Sequence, residues 1–153
     1  MLSDQQEAII KKVCSDVFEQ LAFMFAEDLS PDEVEYGDDV QCMQAAMTFS
    51  GHQSGGIEIV IPVSLASQLA KNILGLGDEE TLTEHSPEDA LREMLNTICG
   101  RMLTSLFGED AVFNLHVPMT KIISPEQALA MARQDDCITL MIEENPIIVH
   151  PIL

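Results

Sequence analysis

The sequence predicts an α+β domain with an antiparallel sheet of five or six strands, on which two long amphipathic helices and shorter helices pack. Apolar residues recur at helical spacing in two long segments, whereas several shorter segments alternate apolar and polar residues as strands do. Short turns join most of these strands, and parallel strands would need long crossovers. The 153 residues, 46% of them apolar, fit a single domain spanning residues 1–153.

The first helix is predicted over residues 4–26. Ser3 and Gln6 have the spacing of a capping box. The apolar residues that follow lie at i, i+3, i+4 and i+7 spacing, namely Ile9, Ile10, Val13, Cys14, Val17, Phe18, Leu21 and Phe25. Segment 27–39 contains seven acidic residues and no basic one, which predicts a solvated loop.

A hairpin and a second helix are predicted next. Residues 43–50 and 57–63 alternate on either side of a glycine-rich turn, as two strands with one buried face do. Ser64 then caps a helix of about eleven residues, which Gly75 and Gly77 end. A second acidic loop is predicted over 78–84.

The third helix has the clearest predicted start. Ser86 is a good N-cap, Pro87 suits the first helical position, and two acids follow at the positive end of the helix dipole. Gly108 is the expected end. The remaining predicted elements are a strand over 113–117, a short helix opened by a capping box at 124–127, and a closing hairpin of 137–143 and 147–152 around a turn at 144–146.

Charge and composition narrow the classes of function. With 26 acidic against 7 basic residues, the formal charge is −19, which would repel a nucleic-acid backbone. The same charge favours a basic protein surface, although solubility explains it equally well. The first residues do not resemble a signal peptide, and no apolar segment approaches the roughly 18 residues of a membrane span. The four cysteines form no Cys-x-x-Cys pair, so we expect reduced thiols and a cytoplasmic location.

The most informative stretch is 89–100. On a helix, its polar or small residues fall within roughly 60° of one another, namely Asp89, Glu93, Asn96 and Gly100. From the residues alone, Glu93 and Asn96 are ordinary solvated side chains, and Asp89 is a favourable acid near a helix start. Gly100 costs about 1 kcal/mol relative to alanine, which either close helix packing or the approach of a partner would explain.

No other constellation competes with this stretch. The four histidines, at positions 52, 85, 116 and 150, show no metal-ligand spacing, and we expect no metal site. The sequence contains neither a Gly-x-Ser-x-Gly elbow nor a phosphate-cradling glycine loop.

The spacing Asp89-x3-Glu93-x2-Asn96, followed by Pro118 after 21 intervening residues, resembles the CheC/CheX/FliY family of chemotaxis phosphatases, in particular its CheX-like type. The order of predicted elements is similar over nearly the whole chain. The first helix carries a weaker echo, Ser15-x3-Glu19-x2-Ala22, which chance explains as well as duplication does. On the resemblance, this echo is a copy that lacks the amide and is inactive.

The resemblance implies an enzyme that hydrolyses the aspartyl phosphate of a CheY-like response regulator. In that role Asn96 orients the attacking water, because an amide can hold water without a shifted pKa. Glu93 docks on the regulator's active-site lysine, and Asp89, Gly100 and Pro118 contact the partner. The resemblance further implies no cofactor beyond the Mg²⁺ of the regulator, and a homodimer. The alternative is a non-catalytic receiver-binding or flagellar-switch adaptor of the same fold.

Overall fold

The computed structural model describes residues 1–75, 83 and 86–153 and confirms the α+β fold. In this part of the chain, the helices are α1 (Asp4–Ala22), α2 (Val63–Leu74), α3 (Ser86–Phe107) and α4 (Pro125–Ala132). The strands are β1 (Ala26–Asp28), β2 (Cys42–Gly51), β3 (Gly55–Pro62), β4 (Phe113–Leu115), β5 (Met119–Ile123), β6 (Ile138–Ile142) and β7 (Asn145–Ile152).

The seven strands form one sheet in which every pairing is antiparallel. Their order is β1-β6-β7-β3-β2-β4, and β5 also pairs with β2. The chain contains one arrangement twice: a long helix, short edge strands and then a hairpin. The first repeat consists of α1, β1 and the β2–β3 hairpin, and the second of α3, β4, β5 and the β6–β7 hairpin. Each edge strand pairs with the hairpin of the other repeat, so neither repeat completes a sheet by itself.

Two hydrophobic cores lie on opposite faces of the sheet, because alternate residues of a strand point to opposite sides. The larger core joins α1, α2 and α3 to the sheet and contains fully buried side chains such as Phe18, Phe49 and Leu95. The smaller core lies under α4 and includes Val60, Ala128 and Ile148. Helix α3 is therefore fixed by apolar packing along one side.

Helix α1 is shorter than predicted, since it ends at Ala22 instead of residue 26. Phe23 adopts a left-handed φ of 57°, and its N–H bonds the carbonyls of Phe18 and Glu19, which closes the helix. The acidic segment 27–39 was expected to be a loop, yet it contributes to β1 and contains a 3₁₀ turn at Pro31–Glu33. Strand β1 forms because it pairs with β6, which is distant in sequence, so no local sequence pattern predicts it.

The predicted strand 113–117 is also different in the structure. Strand β4 ends at Leu115, and β5 begins at Met119, where no strand was predicted. Leu115 pairs with Phe49 and Met119 with Ala46, so the segment that joins β4 to β5 advances four residues while β2 advances three. The extra residue makes a β-bulge, the position at which a strand tolerates a proline such as Pro118.

Most other boundaries agree with expectation. The capping box that begins α4 is confirmed, and Gly108, at φ 88°, ends α3. Helix α2 begins at Val63, with Pro62 as its cap in place of Ser64. The closing turn is formed by Glu143 and Glu144, both at positive φ as in a tight hairpin turn, so it falls one residue before the predicted one. The predicted acidic loop 78–84 lies almost entirely outside the described residues.

Candidate active site

Helix α3 presents its polar stripe to solvent because its apolar stripe is held by the core. Leu91, Leu95 and Ile98 are fully buried, whereas Glu93 and Asn96 are exposed. The Asn96 carboxamide makes no hydrogen bond to the residues that the structure describes. Its donors and acceptor are therefore available to water or to a partner.

The β-bulge forms a wall opposite this stripe. Together they enclose an open cleft of about 320 Å³. Its lining residues are Asp89, Arg92, Glu93, Asn96, Leu115, His116, Val117 and Pro118. The structure thus brings together four of the five site residues proposed from the sequence, although Pro118 is far from α3 in the chain.

Gly100 is the one that the structure does not bring into the cleft. It lines a separate hollow between α1 and α3, together with Asp16 and Arg101. A Cβ built on Gly100 would meet only Leu115 Cδ1, at 4.0 Å. Close helix packing therefore does not explain this glycine, and its partner-binding role stays a prediction.

Arg92 joins the two walls of the cleft, and sequence reasoning missed it. Its Nη1 lies 2.7 Å from Asp89 Oδ1, and its Nη2 donates to Thr120 Oγ1 on β5 at 3.2 Å. Glu88 Oε2 lies 3.9 Å from the same Nη2. The i, i+3 spacing to Asp89 was a local signal for the ion pair, but the contact with β5 depends on the fold.

His116 and the apolar rim are further residues that the sequence did not identify. His116 Nε2 lies 3.3 Å from Ser50 Oγ, and its backbone N–H donates to Thr48 O across the sheet. Val117 is 78% exposed and Met119 is 72% exposed. Polar groups and exposed apolar side chains therefore lie side by side, as they do in protein interfaces.

Glu93 remains accessible despite a local contact. Thr97 Oγ1 donates to the Glu93 carbonyl at 2.9 Å and lies 3.4 Å from one carboxylate oxygen. The second contact is long, so the carboxylate is free to meet a cation on a partner.

The echo on α1 does not reproduce this site. Ser15, Glu19 and Ala22 occupy the last two turns of α1, whereas the α3 residues occupy its first three turns. Ala22 is fully buried, and its carbonyl accepts a hydrogen bond from Asn72 Nδ2. The position of the echo that corresponds to Asn96 therefore carries no side-chain amide.

Among the described residues, possible metal ligands are scattered and the cysteine thiols are buried or half-buried. These residues contain no group of three or more His, Cys, Asp or Glu side chains arranged to hold a metal. Burial raises the pKa of Cys14 to about 12 and that of Cys99 to about 11, so neither is a thiolate nucleophile at neutral pH. Among the described helices, none has the length and apolar character needed to cross a membrane.

Comparisons with known proteins agree with the fold. Residues 43–143 match the family model described as "Chemotaxis phosphatase CheX". The chemotaxis protein CheX from Desulfovibrio desulfuricans superposes with a TM-score of 0.68 at 18% identity, covering 95% of this chain and 96% of that one. CheX from Vibrio vulnificus gives 0.69 at 16% identity, covering 97% and 95%.

One similar structure is a complex. It is the CheX-CheY-BeF3-Mg²⁺ complex from Borrelia burgdorferi, with a TM-score of 0.54, 14% identity and 93% of each chain covered. No curated protein sequence matches this chain. At these identities the solved structures establish the fold alone.

Proposed function

The chain belongs to the chemotaxis phosphatase CheX family, and on that premise we propose that it hydrolyses the aspartyl phosphate of a CheY-like response regulator. The observation that carries the proposal is the exposed carboxamide of Asn96, which makes no hydrogen bond to the described residues and lines a cleft beside the exposed carboxylate of Glu93. An enzyme of this kind needs little more, because an acyl phosphate is already activated and its charge is neutralised by the regulator's Mg²⁺ and lysine.

In the proposed reaction Asn96 holds a water in line with the phosphorus atom. The amide group donates to and accepts from that water, and no pKa shift is required. The water oxygen forms the new bond to phosphorus, and the bond from phosphorus to the aspartyl oxygen breaks. The products are inorganic phosphate and the free aspartate of the regulator.

Glu93 supplies the docking contact in this proposal. It lies one turn before Asn96 on the same face of α3, so both side chains reach the same partner. Its exposed carboxylate would pair with the regulator's active-site lysine. Asp89, which lines the same cleft and is exposed, would contact the partner beside it. Pro118 also lines the cleft but is buried, so its contact with a partner would be small.

We propose the regulator as partner on two grounds. The Borrelia burgdorferi structure shows a similarly folded CheX with CheY. The cleft of this chain also combines carboxylates with exposed apolar residues, which suits a partner with a lysine and an apolar surface. A cytoplasmic location and a homodimer follow from the same family and are part of the proposal.

The decisive experiment measures phosphate release from receiver domains of the same cell. Asn96→Ala should lower the rate of dephosphorylation by roughly 10² or more, which is the effect of losing one pre-positioned polar group. Binding to the regulator should persist, since positioning a water adds little to docking. Asn114→Ala is the matched control, because Asn114 is an exposed asparagine on β4 outside the cleft.

Two results would overturn the proposal. If every receiver loses phosphate at the same rate with and without the protein, and one of them still binds, the chain is an adaptor. If Asn96→Ala and Asn114→Ala are equally active, Asn96 does not orient the water.

A further inference from the structure

The end of α1 exposes two aromatic side chains. Phe23 is 72% exposed and Phe25 is 62% exposed, on either side of the buried Met24. Phe23 also adopts a φ of 57°, which glycine or asparagine accepts at lower cost than phenylalanine does. The fold therefore gains little from the Phe23 side chain, and this points to a role at the surface.

A hollow of about 450 Å³ lies beside these aromatic side chains. It is bounded by the end of α1, the outer side of α2 and the turn between β6 and β7. Its lining residues are Phe23, Met24, Ser64, Leu65, Gln68, Asn72, Glu143 and Asn145. Met24 and Leu65 are buried and make an apolar floor, and the set has no residue in common with the cleft at Asn96.

Hydrogen bonds hold the walls of this hollow together. Asn72 Nδ2 donates to Ala22 O at 2.7 Å, and Gln68 Nε2 donates to Asn72 Oδ1 at 2.9 Å. The N–H of Phe25 donates to Glu143 Oε1 at 3.2 Å. Because three separate elements are tied together, the surface is already formed before any partner arrives, which lowers the cost of binding.

The charge around the hollow selects the partner. Five exposed acids lie within four residues of a lining residue in the chain, namely Glu19, Glu27, Asp28, Glu143 and Glu144, against one basic residue, Lys71. Among the described lining residues, Glu143 is the one that carries a charge. A second copy of this chain that met the hollow with the same face would bring these acids against each other, whereas a basic segment would be attracted.

We propose that Phe23, Phe25 and the hollow beside them form a second docking surface. It binds a lysine- or arginine-bearing segment of another protein, which places an apolar side chain against the phenylalanines and its cations against the acids. This surface is separate from the cleft of Asn96, so failure of one proposal would not affect the other.

The test uses three labelled synthetic peptides and fluorescence anisotropy. One is an amphipathic lysine–leucine helix, the second replaces its lysines by glutamates, and the third replaces its leucines by serines. We expect the lysine–leucine peptide to bind at least tenfold more tightly than the other two, because it alone combines both features. The double variant Phe23→Gly/Phe25→Ser should weaken that binding by roughly tenfold or more, as removing central aromatic contacts does.

The variant is chosen to keep the fold, since glycine favours the backbone conformation at position 23. A matched control, Val112→Ser/Ile122→Ser, removes exposed apolar side chains that line neither the hollow nor the cleft and should leave peptide affinity unchanged. The proposal is overturned if the control weakens binding as much as the double variant does, or if the glutamate peptide binds equally well. It is also overturned if sedimentation shows a dimer for the unchanged protein and a monomer for Phe23→Gly/Phe25→Ser, because the occupant of the surface is then a second copy of the chain.

Discussion

At the scale of single residues, Arg92 places a positive charge in a cleft that also contains two carboxylates. Asp89 and Glu93 line the cleft, and a phosphoryl group brought between them would meet two negative charges. Arg92 pairs with Asp89 and contacts Thr120, so it both screens a carboxylate and connects the two walls. A guanidinium has more donors than these contacts use, which leaves some for a phosphoryl oxygen.

We therefore expect Arg92→Met to lower the rate of phosphate release by about tenfold, the effect of losing roughly 1.4 kcal/mol of transition-state stabilisation. The rate for Arg92→Lys should lie between the rates of this variant and of the unchanged protein, since lysine keeps the charge but lacks the planar guanidinium that can donate two parallel hydrogen bonds. Single-turnover rates at saturating protein separate this effect from binding. Unchanged rates for Arg92→Met would remove Arg92 from the proposed mechanism.

Glu93 should act on association rather than on chemistry. Glu93→Ala is expected to weaken binding to the regulator, and the difference from the unchanged protein should shrink as salt is added, because salt screens the lost ion pair. Titration calorimetry at two ionic strengths measures both quantities. Glu126→Ala, which removes an exposed acid on α4, is the matched control. A loss confined to the maximal rate would contradict the docking role.

At the scale of elements, α1 and α3 both end at a left-handed residue but use different side chains. Phe23 has a φ of 57° and Gly108 a φ of 88°. A Cβ added at Gly108 meets nothing within 4 Å, so its cost is conformational alone. Gly108→Ala should lower the free energy of unfolding by about 1 kcal/mol, and Phe23→Gly should raise it by about 0.5 to 1 kcal/mol. Urea unfolding measures both, and changes of the same sign would contradict the argument.

The elements also show which features a sequence reveals. The stripe of Glu93 and Asn96 was predictable, because helical periodicity is local and the buried leucines repeat with it. Pro118 was proposed from the family resemblance, but the wall that it forms with His116 and Val117 was not predictable from the residues, since the bulge exists only when β4 and β5 both pair with β2. Strand β1 was missed for the same reason. Local helical spacing therefore predicts the α3 side of the candidate cleft, whereas the side formed by the bulge depends on strand pairing.

At the scale of the whole molecule, the exchange of edge strands between the two repeats makes the fold one unit. Strand β1 completes the hairpin of the second repeat, and β4 with β5 completes that of the first. The cleft lies on α3 and on the bulge that packs beside it, so it depends on pairing with β2 from the other repeat. Loss of either hairpin would therefore remove the site together with the sheet.

The buried thiols make the stability of this unit sensitive to alkaline pH. Burial raises the pKa of Cys14 from 9.0 to about 12. The folded chain thus keeps a proton that the unfolded chain releases, so the stabilisation is complete below pH 9 and is lost as the pH rises towards 12. At pH 10 the loss from Cys14 is about 1.4 kcal/mol. We expect urea unfolding under reducing conditions to show this extra loss between pH 8 and pH 10, relative to Cys14→Ala. Parallel pH profiles for the two proteins would contradict it.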